Sequence, residues 1–257
     1  MVGPPLVVAA AFVGLWYLVA NALIPAESRF VLPEPHVVVD RAVFDWDRFS
    51  EIVDNLWATT WVTVVGLSIS IALGIALAVL MNQASWIERT LFPYAVALQT
   101  VPVIAVTPLI GLWWGFEFRS RVIVTILISI FPIIANTLFG LKSVEPSMRD
   151  LFRLHGAGRV TRLVKLDLPA AVPAMFTGFR IAAGLAVVGA VVGEFFFQAG
   201  DAKGIGVLIN QSSASRGQGP QIYASIFAAS ALGVALFALF GVVGDRLTRR
   251  WATTGRA

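Results

Sequence analysis

The feature that most restricts this chain is a series of apolar stretches, each near the roughly 20 residues a helix needs to cross a hydrocarbon core. They lie at about residues 6–24, 56–80, 92–115, 122–141, 170–198 and 222–244. In lipid every backbone N–H and C=O must be satisfied within the protein, so each span has to be helical. A closed β-barrel is excluded, because barrel strands alternate apolar and polar residues and these runs are continuously apolar. Composition agrees: 58% of the 257 residues are hydrophobic and 13% charged, against about half and a quarter in soluble domains. The expected fold class is therefore all-α, a polytopic membrane protein with six transmembrane helices.

The first stretch has only Met-Val-Gly-Pro-Pro ahead of it. It lacks the basic n-region of a signal peptide and its apolar run is long for one, so it is expected to be a retained first helix. Residues 25–55 are polar, with seven Asp or Glu against three Arg. Residues 142–169 carry six Lys or Arg, three acids and His155, and the tail adds Arg246, Arg249, Arg250 and Arg256. With both termini inside, the inner segments hold eleven Lys or Arg. The outer ones hold seven: Arg29, Arg41, Arg48, Arg119, Arg121, Lys203 and Arg216. The positive-inside rule then places the 142–169 loop, the tail and both ends in the cytoplasm. Because the basic residues sit beside spans, the net charge of +4 is a topology signal and does not point to nucleic acid.

Several chemistries have no residues to carry them. Cysteine is absent, and His36 and His155 are far apart, so no metal centre is expected. No Gly-x-x-x-x-Gly-Lys-Ser/Thr phosphate loop occurs, so any ATP hydrolysis belongs to a separate subunit and this chain binds no cofactor. No nucleophile with a positioned base stands out, and no catalytic residue is expected. An intramembrane enzyme would need clustered acids or histidines in adjoining spans, and only Glu194 comes close. A secondary transporter would need coupling carboxylates at mid-membrane and usually an inverted repeat, neither of which is visible.

Polar residues at membrane depth are costly and mark pathways or packing. Gln99 and Thr100 beside Pro102, then Asn136, Arg180, Glu194 and Gln198 are the pathway candidates. Gln99 and Asn136 can bond a solute or each other. Arg180 can pair with a carboxylate or carbonyl, or meet a passing anion. Glu194, near the outer end of its span, can snorkel to water or serve a gate. Pro102, Pro108 and Pro132 are either hinges or passive kinks. Trp113 and Trp114 suit an interfacial belt, and His36 a solvated loop. Gly66, Ser70 and Gly74, and Gly189 and Gly193, recur at four-residue spacing. That pattern fits close helix approach or simple tolerance of glycine.

Residues 142–169 are the most informative. Pro146-Ser147 begins a helix through Met148, Leu151, Phe152 and His155, which Gly156 and Gly158 break. A second amphipathic piece runs from Arg159 to Leu166, with Val160, Leu163, Val164 and Leu166 on one stripe. Leu168-Pro169 is expected to end it ahead of the fifth span. Two short helices around a glycine turn make a knob suited to a partner's groove; an interfacial helix on anionic lipid is the alternative.

This loop resembles the cytoplasmic signature of ABC importer permeases: an acid-Ala-Ala triplet, three residues, Gly, nine residues, an aliphatic, one residue, then Leu-Pro. Asp150 takes the acid position, Leu151 and Phe152 replace the alanines, Gly156 is followed by Ala157, and Leu166 and Leu168-Pro169 close the motif. Gln99 to Gly115 is similar to the Pro-x-x-Ala-x-x-Pro-Leu-x-x-Leu-Trp-aromatic-Gly stretch of nitrate/sulfonate/taurine-type permeases. Thr177-Gly178-Phe179-Arg180 and Gly193-Glu194-Phe195-Phe196-Phe197 look like the same group, the latter like members assigned to thiamine precursors or riboflavin. The resemblance covers about residues 55–245. It implies the type I ABC importer permease fold in a bacterial inner membrane. It also implies a second permease copy, two ABC ATPase subunits carrying ATP and Mg, and an extracytoplasmic solute-binding protein. Asp150, Leu151, Phe152, His155, Gly156, Ala157, Leu166, Leu168 and Pro169 become the coupling element that docks on the ATPase. The chain then divides into 1–55 (first helix and outer segment), 56–245 (transmembrane domain) and 246–257 (basic tail). A six-span subunit encloses little pathway alone, so two copies about a two-fold axis are expected.

Overall fold

The computed structural model describes residues 3–25, 31–214 and 219–252. Arg29, Arg216 and Arg256, which enter the charge count above, lie outside them. Among the described residues the structure is helical and without strands. The helices are α1 (Gly3–Leu18, continued by a π turn at Val19–Leu23), α2 (Pro35–Val43), α3 (Trp46–Gln83), α4 (Ser85–Thr100) and α5 (Val103–Trp114). They continue with α6 (Phe118–Lys142), α7 (Pro146–Leu154), α8 (Arg159–Arg162), α9 (Leu168–Phe196), α10 (Ile205–Ser213) and α11 (Gly219–Ala252). Five helical segments are long and apolar enough to cross a membrane, and the bent pair α4–α5 makes the sixth span.

Span three, expected over 92–115 with hinges or kinks at its prolines, is broken into two helices. It bends by 99° between α4 and α5, because Pro102 has no N–H for the ladder and disfavours helical backbone at Val101. Its two halves nevertheless reach opposite ends of the bundle. Glu88, in the first turns of α4, pairs with Lys142 at the end of α6. Phe116, just beyond α5, packs its ring 5.9 Å from Phe197 and its carbonyl accepts from Ala199 N–H. The 142–158 connection thus marks one end of the molecule, and the segment after Phe197 marks the other.

One correction concerns Leu168-Pro169, which does not end a helix. Helical backbone runs without interruption from Arg159 to Phe196. A π turn at Leu163–Asp167 precedes α9, and Leu168 N–H bonds Leu163 O. That wider turn accommodates the donor missing at Pro169 in the first turn of α9.

The core is the α6–α9 seam, with α3 laid across both. Contact at this distance requires residues without side chains at the crossing points. A methyl group added at Gly189 would stand 2.7 Å from Thr125 Cα, at Gly193 2.9 Å from Arg121 Cα, at Gly178 2.8 Å from Pro132 O, and at Gly140 2.9 Å from Ala171 Cα. Of the four-spaced glycines, Gly66 meets the Thr125 side chain and Gly74 the Ile133 side chain. Ser70 Oγ lies 2.8 Å from Ser129 Oγ between them. The four-residue spacing is thus a packing device on both α3 and α9. Gly189→Val is expected to force α6 and α9 apart at Thr125 and to destabilise the protein by about 1–3 kcal/mol or more, read as a lower Tm in detergent. An unchanged Tm would mean the seam relaxes freely. By contrast, the apolar windows of α1 and α11 are each 6% buried within the protomer, leaving most of their surface to lipid or to other chains.

Candidate functional site

The knob at residues 146–169 is built from its turn outward. Pro146 occupies the first turn of α7, where its missing N–H costs nothing. The helix ends in a left-handed glycine, Gly156 at φ +67°. Gly156 N–H bonds Arg153 O at 3.0 Å and Ala157 N–H bonds Phe152 O at 3.0 Å, the paired closure that a left-handed C-terminal residue permits. The chain then re-enters helix at Arg159, with Arg162 N–H on Gly158 O at 3.0 Å. The expected pair of helices around a glycine turn is therefore present.

The two arms of the knob are tied by Asp167, a residue the sequence reading passed over. It is 1% exposed. Its Oδ2 lies 3.4 Å from Arg162 Nε on α8 and its Oδ1 3.8 Å from Arg149 Nε on α7. Arg149 also donates through Nη2 to Leu141 O at 2.9 Å, in the last turn of α6. One buried carboxylate and one arginine thus join the knob to the end of span four and the start of span five. The outward face is apolar: Met148, Leu151, Leu154, Val160 and Val164 are exposed, Leu154 by 85%. Asp150 and His155 are exposed beside them, and His155 Nδ1 lies 2.9 Å from Leu151 O. Phe152 and Ala157 are half-buried, Leu166 is buried, and Leu168 and Pro169 are half-buried on the way into the membrane.

At the opposite end Glu194 is fully buried, which overturns the reading that it snorkels to water. Glu194 Oε2 accepts from Thr59 Oγ1 at 2.9 Å and from Gly206 N–H at 3.0 Å. Thr59 Oγ1 in turn accepts from Ile205 N–H at 2.8 Å, and Asn55 Oδ1 from Gly204 N–H at 2.8 Å. The first turn of α10 is thereby pinned between α3 and α9. Arg121, counted from the sequence as an outer-loop cation, is 6% exposed inside α6. It donates to Phe197 O through Nε at 2.9 Å and Nη2 at 2.6 Å, and to Lys203 O through Nη1 at 2.8 Å. It also interacts electrostatically with Glu194. Arg121 is thus, like Arg180, a positive charge within a span.

The remaining pathway candidates are scattered. Thr100 Oγ1 donates to Ala97 O at 2.8 Å at the α4–α5 bend made by Pro102. Gln99 lines a cleft of about 230 Å³ with Val103, Leu127, Phe131, Pro132 and Leu185. Asn136 is turned into its own helix, Nδ2 donating to Pro132 O at 2.8 Å, and does not bond Gln99. Gln198 Nε2 donates to Phe195 O at 2.7 Å. Arg180 faces Asp245 of α11, Nη2 to Oδ1 at 3.9 Å, and lies over the Phe237 ring at 5.1 Å. Among the described residues, no group of three or more His, Cys, Asp or Glu is placed to hold a metal ion.

Six spans, a glycine-sealed pair of central helices and a structured knob between spans four and five define a multi-pass transport permease. The model of the binding-protein-dependent transport system inner membrane component family matches residues 70–253, and the chain belongs to that family. Its fold is that of a type I ABC importer permease. It is 39% identical over 209 residues to the formylaminopyrimidine transport permease protein of Halalkalibacterium halodurans, covering 81% of each chain. It is 34% identical over 238 residues to the riboflavin transport system permease protein of Chloroflexus aurantiacus, covering 90% of this chain and 84% of that one. To a putative aliphatic sulfonates transport permease protein of Bacillus subtilis it is 27% identical over 244 residues, covering 95% and 83%.

Proposed function

We propose that this permease works as one of two copies about a two-fold axis, driven by two separate ATPase subunits that dock on the knob around Gly156 and carry the ATP and Mg. A solute-binding protein delivers the solute at the opposite end. In this reading both termini and the knob are cytoplasmic, in a bacterial inner membrane. The first 55 residues are an accessory span and outer segment, 56–245 the transmembrane domain, and 246–257 a basic tail. The observation that carries it is the knob itself. An exposed apolar face on a loop whose arms are paired through Asp167, Arg149 and Arg162 suits a docking surface; a lipid-lying helix needs no such tether.

The solute is a small organic or anionic compound, in the range of a sulfonate, taurine or nitrate, or of a thiamine precursor or riboflavin-like ring. The relatives named above, for formylaminopyrimidine, riboflavin and aliphatic sulfonates, support the organic part of that range. Gln99, Thr100 and Pro102 at the bend of span three line the path in this reading. Glu194 keeps α10 in register with α3 and α9 through Thr59 and Gly206, while Asn136 and Gln198 bond carbonyls of their own segments. Selection among solutes falls largely to the external binding protein.

Leu154→Asp tests the docking claim. Leu154 is 85% exposed, so the fold is expected to survive with its Tm unchanged. Co-purification of the partner ATPase is expected to be lost, since a carboxylate would be buried in an apolar contact. Undiminished co-purification and uptake would exclude this face as the docking element.

A further inference from the structure

Arg180 and Arg121 are the same side chain used in opposite ways. Arg121 directs three of its donors at two backbone carbonyls and, at 6% exposed, is closed to a ligand. Arg180 makes no hydrogen bond among the described residues. Its partners there are a carboxylate at 3.9 Å and an aromatic face at 5.1 Å, while a guanidinium carries five N–H donors. Its side chain is 36% exposed.

The place of this cation is also telling. On α11 the apolar run ends at Gly244, and Asp245 and Arg246 follow. Arg180, opposite Asp245, therefore sits where span six gives way to water, at the end of the bundle that carries the knob. Beside it opens a cleft of about 220 Å³, lined also by Thr177, Gly241, Gly244 and Thr248. That is room for far more than one water. Glycine keeps it open: a Cβ at Gly241 would stand 2.5 Å from Arg180 Nη2, and one at Gly244 2.9 Å from Phe176 Cβ. An unfilled fork of donors over a cleft, level with the end of the apolar run of span six, matches an acceptor with several oxygens.

We propose that the Arg180 cleft binds a tetrahedral oxyanion, held on the guanidinium fork. The group comes either from a phospholipid headgroup or from a free phosphate or sulfonate. Asp245 is the competitor for the same donors, kept at 3.9 Å and itself largely exposed. This inference does not rest on how the knob is used, and its test needs no ATPase.

The full-length protein, stripped of lipid in a sugar-headed neutral detergent, is titrated in separate arms with short-chain phosphatidylglycerol, inorganic phosphate and methanesulfonate. Binding is followed by thermal shift and native mass spectrometry. Arg180→Gln is expected to weaken binding about tenfold or more, and Asp245→Asn to strengthen it several-fold. Binding in the lipid arm alone assigns the site to a headgroup; binding in the phosphate or methanesulfonate arm assigns it to a free oxyanion. If Arg180→Gln fails to fold, Asp245→Asn decides alone. Equal binding by the wild type and the folded variants, or no binding in any arm, overturns the proposal. A purely structural ion pair predicts that both substitutions lower Tm and neither changes anion binding.

Discussion

Arg121→Leu is expected to be the most damaging single substitution in the chain, costing about 3–5 kcal/mol and lowering Tm in detergent by on the order of ten degrees. Three hydrogen bonds disappear at once. Phe197 O and Lys203 O, carbonyls at the end of α9 and just before α10, lose the donor that satisfies them. A buried acceptor left unpaired costs its full desolvation. Glu194, enclosed nearby and accepting from Thr59 and Gly206, also loses the cation whose field it shares. The double variant Arg121→Leu/Glu194→Gln is therefore expected to recover part of the loss, because the compensating charge is no longer missing. Penalties that simply add would show that the two residues are not coupled. A Tm within two or three degrees of wild type for Arg121→Leu would show that the carbonyls find other donors.

Gly156→Val is expected to separate folding from function. Nothing lies within 4 Å of a Cβ built at this position, so no clash follows. The φ of +67° is the whole obstacle, and for a β-branched residue it costs roughly 1–2 kcal/mol. The turn is confined to an exposed loop, so relaxation into another backbone shape relieves that strain with little change in Tm. The geometry between α7 and α8 does not survive the relaxation. ATP-driven uptake in reconstituted vesicles is expected to fall more than tenfold, together with retention of the ATPase. Gly156→Asn, which tolerates left-handed backbone, is expected to keep most of both. Uptake by the valine variant at the wild-type rate would remove the glycine turn from the coupling step.

These two positions differ in how far they could be read from the chain. Gly156 was legible because a turn glycine between two amphipathic stripes is a local pattern, and local patterns survive in sequence. The six spans were legible for the same reason, with boundaries off by up to about ten residues where polar flanks such as Trp46–Asn55 and Arg246–Ala252 continue the helices. Arg121 was not, because a cation at the edge of an apolar run reads as a topology marker. Its partners are carbonyls 76 and 82 positions away, and backbone acceptors leave no trace in residue identity. Glu194 was noticed but given the wrong surroundings, since burial depends on Thr59 and Gly206 arriving from other helices. Asp167 escaped because Leu166 and Leu168 made it look like the polar side of a stripe, when it anchors Arg149 and Arg162. Pro169 misled in the other direction: a proline that ends most helices is tolerated where a wider turn precedes it.

The continuous helix from Arg159 to Phe196 has a mechanical meaning. Its 38 residues, at about 1.5 Å each, make a lever roughly 57 Å long. One end lies in the knob, and the other lies beside Glu194 and α10. Glycine contacts seat α6 along it, so in the proposed function a push on the knob would be delivered to both helices as tilt. A rotation of only about 5° would swing the far tip by about 5 Å, one helical turn in height. Displacements too small to disturb the Asp167 clasp can therefore shift the opposite mouth of the molecule.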